Sequence, residues 1–226
     1  MIQLSKRLSA IAEMVPACHT LADVGTDHGY LPVRLLQEGI VNYVLASDIN
    51  AGPLRRAKET AEEYALSDRM ETILSDGLQY PGADRADTIT ICGMGGETMI
   101  SILQAAPWTA SHRRLILQPQ SKLKELEHWL HENYYAIEDA RLCLDGGKLY
   151  LALSVLGGGI WSRGAEQTLL EEQDSLLPEY LRRELQKVHH ARNGLLKSTS
   201  DRSSAVSELE QRIDTLERME KEITRW

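Results

Sequence analysis

The 226-residue sequence contains only three cysteines and no long apolar run. Cys18, Cys92 and Cys143 are odd in number and far apart, which excludes a paired-cysteine zinc site or a disulfide framework and predicts buried free thiols. No stretch approaches the roughly 18 apolar residues that a membrane-spanning helix needs. We therefore expect no membrane association and no bound metal.

Basic residues are not in excess either, since the formal net charge is −8. This balance argues against binding nucleic acid through overall charge, so any such partner must contact local basic patches. The N-terminal Lys6 and Arg7 do not introduce a secretion signal, because Ser9, Glu13 and Pro16 interrupt the apolar stretch that would have to follow. We expect a cytoplasmic protein.

Short apolar runs alternate with helical patterns over the first part of the chain, which predicts βαβ units and a parallel sheet. The predicted strands include Val44–Asp48, Met70–Leu74, Asp87–Cys92 and Arg114–Gln118. The predicted helices are Leu31–Glu38, Gly52–Leu66, Thr98–Ala105 and Lys122–Glu132.

The pattern changes after this alternation. Ala136–Leu144 and Lys148–Leu156 flank Asp145-Gly-Gly, which predicts an antiparallel hairpin. A mostly parallel sheet closed by such a hairpin is typical of the Rossmann-like class I methyltransferases rather than the dehydrogenases, by analogy of fold. Gly157-Gly-Gly then indicates a boundary, and we assign residues 1–160 to this α/β domain.

Residues 161–226 carry no strand pattern. Apolar residues recur at steps of three, four and seven over 177–195 and 206–223, which indicates a coiled-coil seam. Residues 197–204 have no apolar residue to continue the seam, so we predict a C-terminal antiparallel helical coiled-coil domain. One longer, dimeric coiled coil is the alternative; we expect a monomer, with a dimer through this segment as the other option.

The run Leu21-Ala-Asp-Val-Gly-Thr-Asp-His-Gly29 resembles the first loop of a nucleotide-binding Rossmann unit. Its Gly-x-x-x-Gly spacing differs from the dinucleotide fingerprint, and its acidic residues would oppose a pyrophosphate. The ammonium and sulfonium of S-adenosylmethionine tolerate such charge, Asp23 especially, so the loop favours that cofactor. Gly25 and Thr26 would approach it through the backbone.

Two more aspartates follow the next two strands. Asp48 is placed to accept hydrogen bonds from the ribose hydroxyls, with Ile49 against the adenine. Asp76 and Gly77 are expected beside the adenine, where the Asp76 carboxylate would accept a hydrogen bond from the adenine amine. Each aspartate alone is equally compatible with a helix cap or a turn, but three at the ends of consecutive strands favour a ligand site.

Gly93-Met-Gly-Gly96 follows the fourth strand, where many amino-methylating enzymes of this fold have an Asn/Asp-Pro-Pro-aromatic motif. Gly93 and Gly95 would let the backbone approach donor and acceptor, and Met94 would pack on one of them. The alternative is a glycine-capped strand end with a buried methionine.

With these motifs, the sequence resembles the TrmK family of bacterial tRNA adenine-N1 methyltransferases, which act on adenosine 22. The matching segments are Leu4-Ser-Lys-Arg-Leu8, Asp23-Val-Gly-Thr-Asp-His-Gly-Tyr-Leu-Pro32, Gly52-Pro53, Ile91-Cys-Gly-Met-Gly-Gly96 and Leu115-Ile-Leu-Gln-Pro119. The resemblance implies methyl transfer from S-adenosylmethionine to N1 of adenine in tRNA. An S-adenosylmethionine-binding protein without catalysis, or a methyltransferase for another RNA base or a small molecule, is the alternative.

The resemblance also implies roles for the loop beside Gly29. Asp27 would stabilise the charge that develops on the adenine and take its exocyclic proton, unless it only orders the loop. Tyr30 would stack on the extruded base, unless it is a core tyrosine. His28 would orient Asp27 or the base, unless it is a structural donor.

Contact with RNA would need cationic patches. Residues 1–160 carry a net charge of −6 and residues 161–226 a net charge of −2. We select two basic groups as contacts for the RNA backbone, although such charges are also typical of a solvated helix face. They are Lys6 and Arg7 at the N-terminus, and Arg182, Arg183, Lys187 and Arg192 in the predicted coiled coil.

Overall fold

The computed structural model describes residues 1–196 and 203–224. Within these residues, one sheet is formed by seven strands. They are β1 (Cys18–Val24), β2 (Val41–Asp48), β3 (Met70–Leu74), β4 (Thr88–Gly95), β5 (Arg114–Ser121), β6 (Tyr135–Asp145) and β7 (Lys148–Gly157).

The strands lie in the order β3-β2-β1-β4-β5-β7-β6. β1 to β5 are parallel, whereas β7 is antiparallel to both of its neighbours. The predicted mixed sheet is thus confirmed. The chain adds β2 and β3 on one side of β1 and then returns to place β4 on the other side, and such a reversal opens a crevice at the carboxyl ends of the strands.

The first described helix precedes β1, and the other described helices connect or follow the strands. In chain order the helices are α1 (Lys6–Met14), α2 (Tyr30–Glu38), α3 (Ala51–Glu63), α4 (Gly96–Gln104), α5 (Leu123–Glu132), α6 (Ala165–Glu171), α7 (Leu177–Leu196) and α8 (Ser203–Ile223). α1 to α5 each bury an apolar stripe, while β1, β2 and β5 are buried over most of their length and β4 over its first half. Burial on both faces explains why these strands read as continuous apolar runs.

The β6–β7 hairpin matches the prediction closely. Asp145 pairs with Lys148 across a two-residue turn, in which Gly146 and Gly147 have φ angles of 55° and 77°. A turn with positive φ at both central residues matches the twist of the flanking strands and favours glycine. The turn chemistry therefore fixed the register of this pair from the sequence.

Two features of the first 171 residues differ from the predictions. β4 does not end at Cys92 but continues to Gly95, with register shifts against β5 around Met94. The sequence prediction ended the strand at the first glycine, whereas the bulged ladder tolerates glycine because the extra residue needs an unusual backbone conformation. α1 and α6 carry short apolar patterns and were not predicted.

The structure divides into two compact units, Met1–Thr168 and Leu169–Trp226. The predicted boundary between residues 160 and 161 precedes α6, and the division falls within that helix. In the second unit α7 and α8 contact each other, with Leu181 and Leu216 fully buried. The predicted turn over 197–204 falls mainly on residues 197–202, which lie outside the described residues.

No helix in the described part of the chain is long and apolar enough to cross a membrane.

Candidate active site

A cavity of about 700 Å³ opens at the carboxyl ends of β1, β2 and β4. The sheet reverses its order there, where α/β proteins place their ligands. Nine of the ten predicted cofactor residues line it, and Gly95 does not. The nine are Asp23, Gly25, Thr26, Asp48, Ile49, Asp76, Gly77, Gly93 and Met94.

The loop after β1 is held close to the sheet by its backbone. The amides of Gly25 and Thr26 donate to the carbonyl of Ser47 at 2.8 and 3.1 Å. Gly25 has a φ of 74°, and a Cβ at this position would overlap the methyl group of Met94. Glycine is therefore favoured here by the turn, whereas a Cβ would displace only the flexible end of Met94.

Asp23 is a buried carboxylate at the cavity wall, with 5% of its surface exposed. The Thr90 hydroxyl donates a hydrogen bond to its Oδ1 at 2.6 Å. Burial raises the pKa of Asp23 above its ordinary value, and hydrogen bonding with the Thr90 and Thr26 side chains opposes this rise. A buried carboxylate at a cavity wall is a strong attractor for a ligand cation.

Asp48 and Ile49 follow β2 at the cavity rim. One Asp48 carboxylate oxygen accepts a hydrogen bond from the backbone amide of Asn50 at 2.9 Å. Asp48 therefore also stabilises a turn, the alternative role considered for it from the sequence. Ile49 is 65% exposed, although it is a large apolar side chain. An exposed isoleucine at a cavity edge can cover one face of a flat ligand.

The third carboxyl end adds Ser75, Asp76 and Gly77 to the wall. Gly77 accepts a hydrogen bond from the Ser47 hydroxyl at 3.1 Å, which ties this loop to β2. The Ser75 hydroxyl is buried without a hydrogen-bond partner among the described residues, and the buried Thr26 hydroxyl lies beside the Asp23 carboxylate. Buried hydroxyls at a cavity wall are natural contacts for a polar ligand, and no sequence pattern indicated Ser75.

Asp27 is held by a residue that the sequence did not single out. Its Oδ1 accepts a hydrogen bond from Arg56 Nη2 at 2.9 Å, and its backbone has a φ of 50°. The Asp27 side chain is 66% exposed, so the ion pair orders the carboxylate without burying it. The helical pattern of α3 in the sequence does not distinguish Arg56 from its neighbour Arg55. In the structure Arg55 lies near Glu59, not near Asp27.

His28 and Tyr30 form the other edge of this loop. Their rings stack with centroids 5.1 Å apart, and His28 Nε2 lies 3.8 Å from Asp27 Oδ1. Tyr30 is 41% exposed and lines the cavity, so it is not a core tyrosine. The three predicted acceptor-side residues are thus together at one side of the cavity.

Arg7 also lines the cavity, which the sequence analysis did not anticipate. Its Nη1 donates to Gln118 Oε1 at 2.9 Å, and its guanidinium lies 5.4 Å from the ring centroid of Tyr150. Its backbone amide donates to Asp145 in the β6–β7 turn at 3.1 Å. Lys6 is exposed and outside the cavity lining.

The predicted RNA contacts on α7 are mostly paired within the helix. Glu179 accepts hydrogen bonds from both Arg182 and Arg183, and Lys187 pairs with Glu184 at 2.6 Å. Arg192 donates to the Asn193 side chain at 3.3 Å. Pairs three or four residues apart are typical of a solvated helix face, so these cations would have to exchange partners to bind phosphate.

The three cysteines are free, and each is partly rather than fully buried. Burial raises the pKa of the Cys92 thiol, the one thiol that lines the cavity. Within 1–196 and 203–224, no group of three or more His, Cys, Asp or Glu side chains is placed to hold a metal ion.

Comparison with known families agrees with this geometry. A family model described as a methyltransferase domain matches residues 4–153. Together with the mixed sheet and the position of the cavity, this match defines the class as a Rossmann-like methyltransferase.

Individual relatives narrow the class. The tRNA (adenine(22)-N(1))-methyltransferase of Bacillus subtilis is 35% identical over 158 residues, which cover 70% of this chain and 66% of that enzyme, just under two thirds of its length. The crystal structure of the B. subtilis m1A22 tRNA methyltransferase TrmK has a TM-score of 0.84 at 29% identity, covering 97% of this chain and 100% of that one.

A second solved structure, M. capricolum TrmK in complex with S-adenosyl-homocysteine, has a TM-score of 0.82 at 25% identity, covering 98% of this chain and 100% of that one. The chain belongs to the TrmK family of methyltransferases.

Proposed function

We propose that this protein transfers the methyl group of S-adenosylmethionine to N1 of adenosine 22 in bacterial tRNA. The observation that carries the proposal is one cavity in which three strand-end carboxylates, Asp23, Asp48 and Asp76, face the Asp27 loop. The named activity of the B. subtilis relative supports the same substrate.

The residues present fit the cofactor. Asp23 is a buried carboxylate suited to the ammonium group of the methionine moiety, and Asp48 keeps one oxygen available for a ribose hydroxyl. The unpartnered hydroxyl of Ser75 and the Thr26 hydroxyl beside Asp23 add polar contacts at the same wall. When bound, the cofactor supplies an electrophilic methyl group on a sulfonium.

We assign to Asp27 the role of accepting a proton from the exocyclic amine of the adenine. The ring nitrogen N1 is already a nucleophile at neutral pH, so the protein mainly has to position the base. Methylation makes the base cationic, and a carboxylate beside it stabilises that charge and accepts the exocyclic proton. Arg56 would hold Asp27 in place for this step, and the stacked His28–Tyr30 pair offers a ring for the extruded base.

The finer organisation is also part of the proposal. We assign residues 1–160 to the methyltransferase domain and 161–226 to an antiparallel coiled-coil domain in which the seam residues of α7 and α8 meet. Lys6, Arg7, Arg182, Arg183, Lys187 and Arg192 would contact the tRNA backbone. We expect a cytoplasmic protein, because bacterial tRNA is processed in the cytoplasm. We expect it to be a monomer, with a dimer through the coiled coil as the alternative.

The experiment is a methyl-transfer assay with labelled S-adenosylmethionine and unmodified bacterial tRNA transcripts, followed by mapping of the modified base. We expect label at N1 of adenosine 22, and none when that adenosine is replaced. Asp27→Asn should lower kcat by roughly 10²- to 10⁴-fold with unchanged binding of S-adenosylhomocysteine. Asp68→Asn, an exposed carboxylate outside the cavity, is the matched control. Cofactor binding without label in the tRNA would refute the proposal.

A further inference from the structure

The end of β4 faces two long polar side chains that approach from different elements. A Cβ placed on Gly93 would lie 3.6 Å from Arg7 Nη1 and 3.6 Å from Gln120 Nε2. Gly93 has a φ of 78°, which favours glycine, so this position presents bare backbone between the two side chains. Both side chains line the cavity.

The two side chains differ in how free they are to bind a ligand. Arg7 Nη1 already donates to Gln118 Oε1, and its guanidinium lies against the Tyr150 ring. Gln120 is exposed at the cavity wall. It lies near the end of β5, directly after the buried Pro119, which pairs with Met94 of β4. Its amide offers one donor and one acceptor in a single plane.

That pair of groups matches one edge of adenine. A glutamine amide accepts a hydrogen bond from the N6 amine and donates to N7, a bidentate contact that guanine cannot make because it has acceptors at both positions. The N6 amine has a second hydrogen, which points toward N1. An amide on the N6/N7 edge therefore leaves N1 open to methylation and leaves the second hydrogen for Asp27, which lines the same cavity.

We infer that Gln120 reads the N6/N7 edge of the target adenine on the platform made by Gly93, and so determines the choice of base. The inference rests on the proposed methylation of adenine N1 and names a base-reading residue for it. Arg7 is the less suitable reader, because a fixed cation beside the ring opposes the positive charge that methylation creates.

The test combines a substrate change with a protein change. The substrates are a tRNA transcript with adenosine at the target position and one with 7-deazaadenosine, in which a C–H replaces N7. For the native protein, kcat/KM should fall by roughly ten- to a hundred-fold on the 7-deaza substrate. Gln120→Ala should lose a similar factor on adenosine and lose little more on 7-deazaadenosine, because the same contact is removed twice.

Gln120→Glu provides a sharper signature. A carboxylate still accepts from N6 but faces the N7 lone pair with like charge, so this variant should prefer 7-deazaadenosine over adenosine. Gln104→Ala, an exposed glutamine at the end of α4 outside the cavity, should behave as the native protein. Affinity for S-adenosylhomocysteine should be unchanged in all three variants, which also shows that they fold.

Several results would overturn the inference. If Gln120→Ala and the 7-deaza substitution each lower kcat/KM and their factors multiply when combined, another group contacts N7. If Arg7→Ala then no longer distinguishes adenosine from 7-deazaadenosine, that group is Arg7. Weaker cofactor binding by Gln120→Ala would place this residue at the donor. Absence of methylation by the native protein would instead refute the proposed function, on which the inference depends.

Discussion

Arg56 Nη2 donates a hydrogen bond to Asp27 Oδ1 across 2.9 Å, and this contact joins α3 to the loop that follows β1. Asp27 is in a left-handed backbone conformation, with a φ of 50°. Such a conformation is uncommon for residues other than glycine, although aspartate adopts it more readily than most. The ion pair thus fixes the direction of a carboxylate whose backbone is already unusual.

Removing the guanidinium should affect catalysis more than folding. Both side chains are 40% or more exposed, and such pairs contribute little to stability. Arg56→Ala should lower kcat about ten-fold with little change in KM, because Asp27 loses its orientation. Steady-state assays check this, and Arg56→Lys should recover part of the rate.

Arg55→Ala is the matched control for that prediction, because Arg55 is 76% exposed and faces Glu59 on the surface. It should leave kcat unchanged. A loss of thermal stability or of cofactor affinity in Arg56→Ala as large as the loss of rate would mean that Arg56 only supports the fold.

Asp23 should make cofactor binding sensitive to acid. Burial raises its pKa above the ordinary 3.8, and only the ionised form attracts an ammonium group. The affinity for S-adenosylhomocysteine should therefore fall as the pH drops through this raised pKa. Titration calorimetry at several pH values checks this, and in Asp23→Asn the dependence should disappear, with affinity lower by roughly 10- to 100-fold at pH 7.

The same group has the opposite effect on stability. Because the pKa of Asp23 is higher in the folded than in the unfolded state, the folded state binds more protons between the ordinary pKa and the raised one. This group therefore favours folding at low pH, and the contribution is lost as the pH rises through the folded pKa. Asp23→Asn should unfold at the same or a higher temperature at pH 7; a clear fall would contradict a ligand-binding role for this carboxylate.

A side chain at Gly25 should have two separable effects. Its φ of 74° resembles that of Gly39, which has φ 69° but open space around it. Gly39→Ala should cost about 1–2 kcal/mol from backbone strain alone, and each kcal/mol lowers the unfolding temperature by about 2–4 °C in a chain of this size. Gly25→Ala should cost a similar amount, because only the flexible end of Met94 has to move, and it should also weaken cofactor binding, because both residues line the cavity.

In the Met94→Ala background the overlap with the Met94 side chain is gone, so Gly25→Ala should weaken cofactor binding less there than in the native protein. Equal losses of affinity in both backgrounds would show that the contact between Met94 and Gly25 is not the cause.

Glu179 should restrain RNA binding by α7. It accepts hydrogen bonds from Arg182 and Arg183, and these partners lower the pKa of Glu179. Glu179→Gln should weaken these pairs, tighten tRNA binding and steepen its dependence on salt by about one to two charges. Fluorescence titrations over a range of salt concentrations measure both.

Glu220→Gln on α8 changes the net charge by the same amount as Glu179→Gln. Because Glu220 is exposed, this variant is a control for the effect of net charge alone. Equal effects of the two substitutions, or no effect of either, would contradict specific contacts between α7 and RNA.

The sequence by itself determined the mixed sheet and the loops at its carboxyl edge. Alternation of apolar runs and turn residues is a local property, so β2, β3 and the β6–β7 hairpin could be predicted from short segments. Aspartates at consecutive strand ends were predictable as a group because parallel strands bring those ends to one edge.

The tertiary structure alone decided which side chains meet across that edge. Arg56 is 29 residues from Asp27, and Arg7 is 111 residues from Gln118, so neither contact follows from local periodicity. Each depends on where α3 and α1 pack against the sheet. Two neighbouring arginines, Arg55 and Arg56, read alike in the sequence, and the rotation of one helix directs only Arg56 toward Asp27.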